Sequence, residues 1–216
     1  MSLENRINNP REWGNNIVHP PRQQVIASGF DALDQQLAGG FPLGALTELL
    51  TDSQDNDAMH LVLHSLAKLS PQGRWIALIA PPHLPDAPML ARHGIDLSRI
   101  LLVHSQSNED TLRAMEQALQ AGTCSAVLAW PTSANERQLR RLQLAAERSN
   151  AMAVLLHTRQ NEKRSPAALR LKLRPSITGT QVDILKRRGG WPCGPVQLDW
   201  NPEPHSSCQP SAIAWL

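Results

Sequence analysis

Two hydrophobic periods run along residues 25–200, and the change from one to the other divides the chain. Phe30 to Leu37 has helical spacing and passes through Gly39-Gly40 into an apolar run, Ala45 to Leu50, which predicts a short helix, a glycine turn and a buried strand. Ala58 to Leu69 places Met59, Leu61, Val62, Leu63, Leu66 and Leu69 near helical spacing, and Ser70-Pro71-Gln72-Gly73 stops it. Trp75 to Ala80 is almost continuously apolar, as in a strand covered on both faces. A short helix (86–93) closed by Gly94, a strand (100–104) and an amphipathic helix starting at 108–111 and ended by Gly122 follow. Ser125 to Trp130 predicts the next buried strand, Asn135 to Ser149 a strongly amphipathic helix with Leu139, Leu142, Leu144 and Ala146 toward one side, and Ala151 to His157 another strand. Strand–helix alternation with short apolar strands predicts an α/β fold, a parallel sheet with helices on both faces.

Beyond a polar loop at 159–164 the period falls to two. Leu169, Leu171 and Leu173, then Val182 and Ile184, alternate with polar residues across a Ser176-Ile177-Thr178-Gly179 connection. That is the mark of an antiparallel hairpin with one wet face. Val196 to Trp200 predicts one more edge strand. The organisation is therefore an arm (1–24) rich in Asn, Pro, Arg and Gln, a core (25–158), a hairpin extension (159–200) and a tail (201–216).

The 216 residues suit one domain with a sizeable core, and a net charge of +2 is too small to argue a nucleic-acid surface. Three cysteines, Cys124, Cys193 and Cys208, lie far apart with no C-x-x-C pair, so neither zinc nor a disulfide framework is indicated. No apolar run approaches about 18 residues and no apolar leader follows Met1, which predicts a soluble, cytoplasmic protein with no membrane contact.

The glycine turn and strand are followed by Thr51-Asp52-Ser53-Gln54-Asp55-Asn56-Asp57-Ala58. A phosphate-binding loop needs a second glycine, a lysine and a hydroxyl, and those positions here hold Asn56, Asp57 and Ala58. Asp52, Asp55 and Asp57 would repel phosphate. The carboxylate that helps hold Mg²⁺ in ATPases falls on Trp130, and the water-polarising glutamate on Pro81-Pro82. These losses predict no nucleotide cofactor and no enzyme. His60 and His64 share a helical face, but Leu61 stands where a zinc protease has its glutamate, so the pair reads as structural. Cys124 reads as a small core residue. Basic runs at Arg137, Arg140, Arg141 and Arg148, at Arg159, Lys163, Arg164, Arg170, Lys172 and Arg174, and at Lys186, Arg187 and Arg188 offer contact with DNA or a protein partner, against the plainer reading of solvated faces.

Two resemblances rest on these stretches. Ser28-Gly29-Phe30-Asp31-Ala32-Leu33-Asp34, Gly39 to Leu50 and Asp183-Ile184-Leu185-Lys186-Arg187-Arg188-Gly189-Gly190 resemble the ImuA group, RecA-like proteins associated with translesion synthesis. Gly73-Arg74-Trp75, Pro81, Gly94, Ala126 to Trp130 and Asn150-Ala151-Met152 resemble SulA, the SOS-induced inhibitor of cell division. Both imply a RecA-like core. The ImuA side is favoured because the chain continues past residue 173, where the short inhibitors stop. It implies a non-catalytic adaptor with RecA and an error-prone polymerase subunit as partners. The alternative implies binding of the division protein FtsZ and a block on its polymerisation, with Arg74, Ile79, Met89 and Arg99 on the positions that group uses and residues up to about 173 sufficing. Met89 stands where that group has Trp. By analogy with RecA-type assembly, Trp13 in the arm is the residue passed to a partner.

Overall fold

Short apolar runs separated by amphipathic segments bury both kinds of surface when the runs become central strands and the helices cover them. That arrangement is seen in the structure, a computed structural model that describes residues 24–51, 57–158, 165–177, 179–188 and 194–198. In chain order the elements are β1 (Val25–Ile26), α1 (Asp31–Gln36), β2 (Phe41–Pro42), β3 (Ala45–Thr51), α2 (Asp57–Leu69), β4 (Trp75–Ile79), α3 (Ala87–Arg92), β5 (Ile100–Val103), α4 (Asn108–Ala121), β6 (Cys124–Ala129), α5 (Glu136–Ser149), β7 (Met152–Thr158), β8 (Leu169–Ser176), β9 (Gly179–Arg187) and β10 (Val196–Leu198). Among the described residues β1 and β2 pair with each other, and the other eight strands form one sheet in the order β10-β9-β8-β3-β7-β6-β4-β5. Strands β3 to β8 run parallel, and β9 is antiparallel to both β8 and β10.

The hairpin is not an appendage. Its first strand pairs in parallel with β3, Thr47 opposite Leu169 through Thr51 opposite Leu173, so β8 continues the sheet from its centre outward. The sheet is thus mixed, which local periodicity could not reveal. One face carries Leu49, Leu78, Leu128, Val154, Leu171 and Ile184 against α1, α2 and α3. The other carries Leu46, Ala77, Ile79, Val127 and Leu155 against α4 and α5. Leu144, expected on the buried side of α5, is instead exposed. No helix of the described residues is long and apolar enough to cross a membrane.

Local chemistry fixes the helix ends. The Ser107 side chain accepts from the Asp110 amide at the start of α4, and Asn135 and Gln138 form a reciprocal capping box on α5. Gly122 (φ 68°) and Asn150 (φ 51°) end those helices in the left-handed conformation. Gly40 (φ 124°) lies against the Ile26 carbonyl, where any Cβ would collide, so the predicted glycine turn is a steric need.

One buried hydroxyl among the described residues is left without a partner. The Thr47 hydroxyl, fully buried between Val154 and Leu169, makes no hydrogen bond among the described residues. A stranded hydroxyl costs about 1–3 kcal/mol. Thr47→Val keeps the branched shape and removes that cost, so it is expected to stabilise the fold by about 1 kcal/mol, seen as a higher urea midpoint with an unchanged slope.

Candidate partner-binding edge

Gly73 (φ 71°) turns the chain into β4, and the next two residues diverge in role. Arg74 points back across the sheet end, where its Nη2 donates to the Gly122 carbonyl at 3.0 Å and to the Ser149 carbonyl at 3.3 Å. Trp75 donates its backbone N–H to the Thr123 carbonyl (3.1 Å), and the residue stays 38% exposed. Just before the neighbouring strand, Asp96 caps the turn Leu97–Arg99 by accepting from the Ser98 amide (2.9 Å) and hydroxyl (2.7 Å). Those Ser98 bonds hold the Asp96 carboxyl below its ordinary range, with the Arg99 charge adding to them. The turn sets the Arg99 guanidinium 5.6 Å from the Trp75 ring centroid, a cation–π contact.

Leu97 and Leu101 flank this pair and are each more than two-fifths exposed. Strand β5 is the last of the sheet, and nothing pairs with its outer side among the described residues. Val103 turns its carbonyl inward to the Ala80 amide, so by alternation the amide and carbonyl of Leu102 face outward. An aromatic ring, a cation, two leucines and open backbone groups therefore share one edge. That combination suits a protein partner.

The four positions taken from the inhibitor resemblance separate here. Arg74 and Arg99 lie at the same end of adjacent strands around Trp75, whereas Ile79 is fully buried and Met89 packs in the core beneath α3. Trp13 lies outside the described residues. The sequence reading missed Trp75, Leu97 and Leu101. There Trp75 reads as the first residue of a buried run, although its place two residues after Gly73, at the start of β4, marks it as lying at the rim.

The expected basic surface of the hairpin is rearranged. Arg170 and Lys172 are buried, so neither offers an exposed charge. Arg170 Nε lies 2.8 Å from Glu48 Oε2, and His157 Nε2 lies 3.3 Å from Glu48 Oε1. Burial pushes the Glu48 carboxyl up, but hydrogen bonds from His157 and Ser165 and the Arg170 charge outweigh it and leave the group below its ordinary value. Lys186 donates to the Ser165 carbonyl (2.6 Å), Arg187 to the Gln36 carbonyl, and Arg188 lies 3.8 Å from Glu147. Arg164 lies outside the described residues. On the helices, Arg141 forms a two-point contact with Glu116 (3.2 and 2.6 Å), while Arg137, Arg140 and Arg148 are exposed.

The former phosphate-loop positions fare similarly. Strand β3 ends at Thr51, Asn56 lies outside the described residues, Asp57 opens α2, and Ala58 is buried in the apolar core. Trp130 packs half-buried against that core, and Cys124 is buried, which pushes its thiol up. His64 lies against Gly29, and the described residues hold no cluster of three metal-ligating side chains.

The family model described as "Cell division inhibitor SulA" matches residues 44–153, just over half the chain and the whole of β3 through α5. This chain belongs to the SulA family. The cell division inhibitor SulA of Pectobacterium carotovorum subsp. carotovorum (strain PC1) is 30% identical over 139 residues, covering 64% of this chain and 81% of that relative. The Serratia marcescens SulA is 28% identical over 118 residues, covering 55% and 70%. The crystal structure of SulA from Pseudomonas aeruginosa aligns at 27% identity with a TM-score of 0.45, covering 53% of this chain and 98% of that one. The preference for the ImuA group is thereby reversed: the family model and these relatives carry the inhibitor's name, and none supports a translesion adaptor or RecA and polymerase partners. The inhibitor alternative is the better supported of the two.

Proposed function

We propose that this chain is a cell division inhibitor that acts by protein contact, binding FtsZ at the Trp75–Arg99 edge and blocking its polymerisation. Membership of the SulA family supports the class of activity, and the inhibitor resemblance supplies the partner. The single observation that carries the surface is the exposed Trp75–Arg99 pair at an unpaired sheet edge inside the span the family model matches. Residues enriched at the energetic centres of interfaces are Trp, Tyr and Arg, and a desolvated aromatic–cation pair of this kind anchors a partner. No reaction is involved: the inhibitor acts by occupying a surface the partner needs for assembly.

Overproduction of the chain in dividing cells is expected to produce filaments. Trp75→Ala and Arg99→Glu should each restore division while leaving the thermal unfolding midpoint within a few degrees of wild type. With purified components, each should weaken binding to FtsZ by about tenfold or more, equivalent to at least ~1.4 kcal/mol. Cells of normal length at high levels of the wild-type chain would overturn the reading.

A further inference from the structure

Resting on that reading, we infer that Arg74 is a positioning residue and not a contact: it ties the C-terminal ends of α4 and α5 to the start of β4, and so fixes the edge on which Trp75 and Arg99 are displayed. The two arginines of the edge look equivalent in sequence, each standing just before the apolar part of a parallel strand. Their surroundings are not equivalent. One amino group of Arg74 donates to the carbonyl of Gly122, the residue that ends α4, and to that of Ser149, the last residue of α5. Final-turn carbonyls lack intrahelical donors and gather the negative end of the helix dipole, so a cation shared between two such ends is favoured twice.

The tie passes directly to the display. Trp75 follows Arg74, its N–H is held by Thr123 next to Gly122, and its carbonyl accepts from the Ser125 hydroxyl at 3.4 Å. Arg74, Trp75, Gly122 and Ser149 thus form one junction between two helices and two strands. The Arg99 side chain makes no hydrogen bond among the described residues. Its guanidinium rests on the Trp75 ring and its outer edge faces solvent. Arg99 is therefore the charge a partner carboxylate meets.

The two roles separate under salt. A cation that meets a partner carboxylate contributes strongly to the ionic-strength dependence of binding, whereas one held on carbonyls away from the partner contributes much less. Affinity of the full chain for FtsZ would be measured at about 0.05 and 0.3 M salt for wild type, Arg74→Gln, Arg74→Lys and Arg99→Gln. Arg99→Gln is expected to lower affinity and flatten the salt dependence. Arg74→Gln is expected to lower affinity by about tenfold with the wild-type salt dependence intact. Arg74→Lys should recover part of that loss, since an ammonium can still donate to these carbonyls. In the free proteins, backbone amide exchange at Trp75 and residues 122–125 should quicken in Arg74→Gln and stay unchanged in Arg99→Gln.

A flattened salt dependence in Arg74→Gln together with unchanged exchange would make Arg74 a direct contact and overturn the inference. Failure of the wild-type chain to bind FtsZ would defeat the proposed function alone. The exchange measurement then still decides whether Arg74 orders the edge, and unaltered exchange in Arg74→Gln would overturn the positioning role.

Discussion

Glu48→Gln is expected to destabilise the protein by about 3–5 kcal/mol, the cost of removing one partner of a buried ion pair. Glu48 lies in the middle of β3 with almost no exposure, and it is the acid to which β7 and β8 turn their charges. His157 reaches it from β7, Arg170 from β8, and Ser165 bonds it from the segment before β8. Lys186 on β9 is near enough for burial, then the Arg170 charge, to pull its ammonium below the ordinary lysine value, with Glu48 opposing that shift. Gln has nearly the shape of Glu but cannot balance Arg170, so the loss tests charge and not packing. Urea unfolding at neutral pH measures it.

The same carboxylate fixes the sign of the acid response. Its folded value lies below its ordinary one, so its contribution is complete above the ordinary carboxylate range and disappears as pH falls through the folded value. Stability of the wild-type chain should therefore drop on acidification through that window, and Glu48→Gln should flatten this part of the curve. Replacing Glu48 and Arg170 together by leucines should cost less than the sum of the single changes, because the buried pair is removed as a unit. An additive double mutant would show that the two side chains do not act as a pair.

The element boundaries were legible to within a few residues, and the reason is local. Strands such as Ile76–Ile79 and Ala126–Ala129 are buried on both faces, so their sequences are unbroken apolar runs, and Ser107, Asn135 and Gly122 mark helix ends by backbone chemistry alone. Pairing was not legible. Period-two alternation identified β8 and β9 as a hairpin, yet it carries no record of the parallel partner on the far side of β8. Glu48 illustrates the same limit at the level of a side chain: one acid in Ala45-Leu46-Thr47-Glu48-Leu49-Leu50 is visible, but its partners come from β7 and β8, far along the chain. At the edge, resemblance pointed to Arg74 and Arg99. Only strand order shows that Trp75 lies beside the last strand and that the two arginines differ in what they touch.

Ending the chain after Pro175 is expected to abolish cooperative folding. If the inhibitory unit stopped near residue 173, as the inhibitor alternative expects, such a truncation would leave a sound domain. The packing argues otherwise. Leu169, Leu171 and Leu173 are buried, and β9 and β10 cover and extend that surface with Val182, Ile184, Val196 and Leu198, all in the cluster that also holds Leu33, Leu49 and Leu66. Removing β9 and β10 takes away four buried apolar side chains, each giving about 1.5–3 kcal/mol on burial, and opens β8 as an unpaired apolar edge. That sum is comparable to the whole stability of an ordinary domain, about 5–15 kcal/mol. The truncated chain should lose near-ultraviolet circular dichroism and bind a hydrophobic dye. Ile184→Ala tests the same contribution without deleting anything, and should cost about 2–5 kcal/mol in urea while the fold persists. A cooperatively folded chain ending at Pro175 would show that the residues up to that point are self-sufficient. The expected collapse would mean that β9 and β10 belong to the core of this chain.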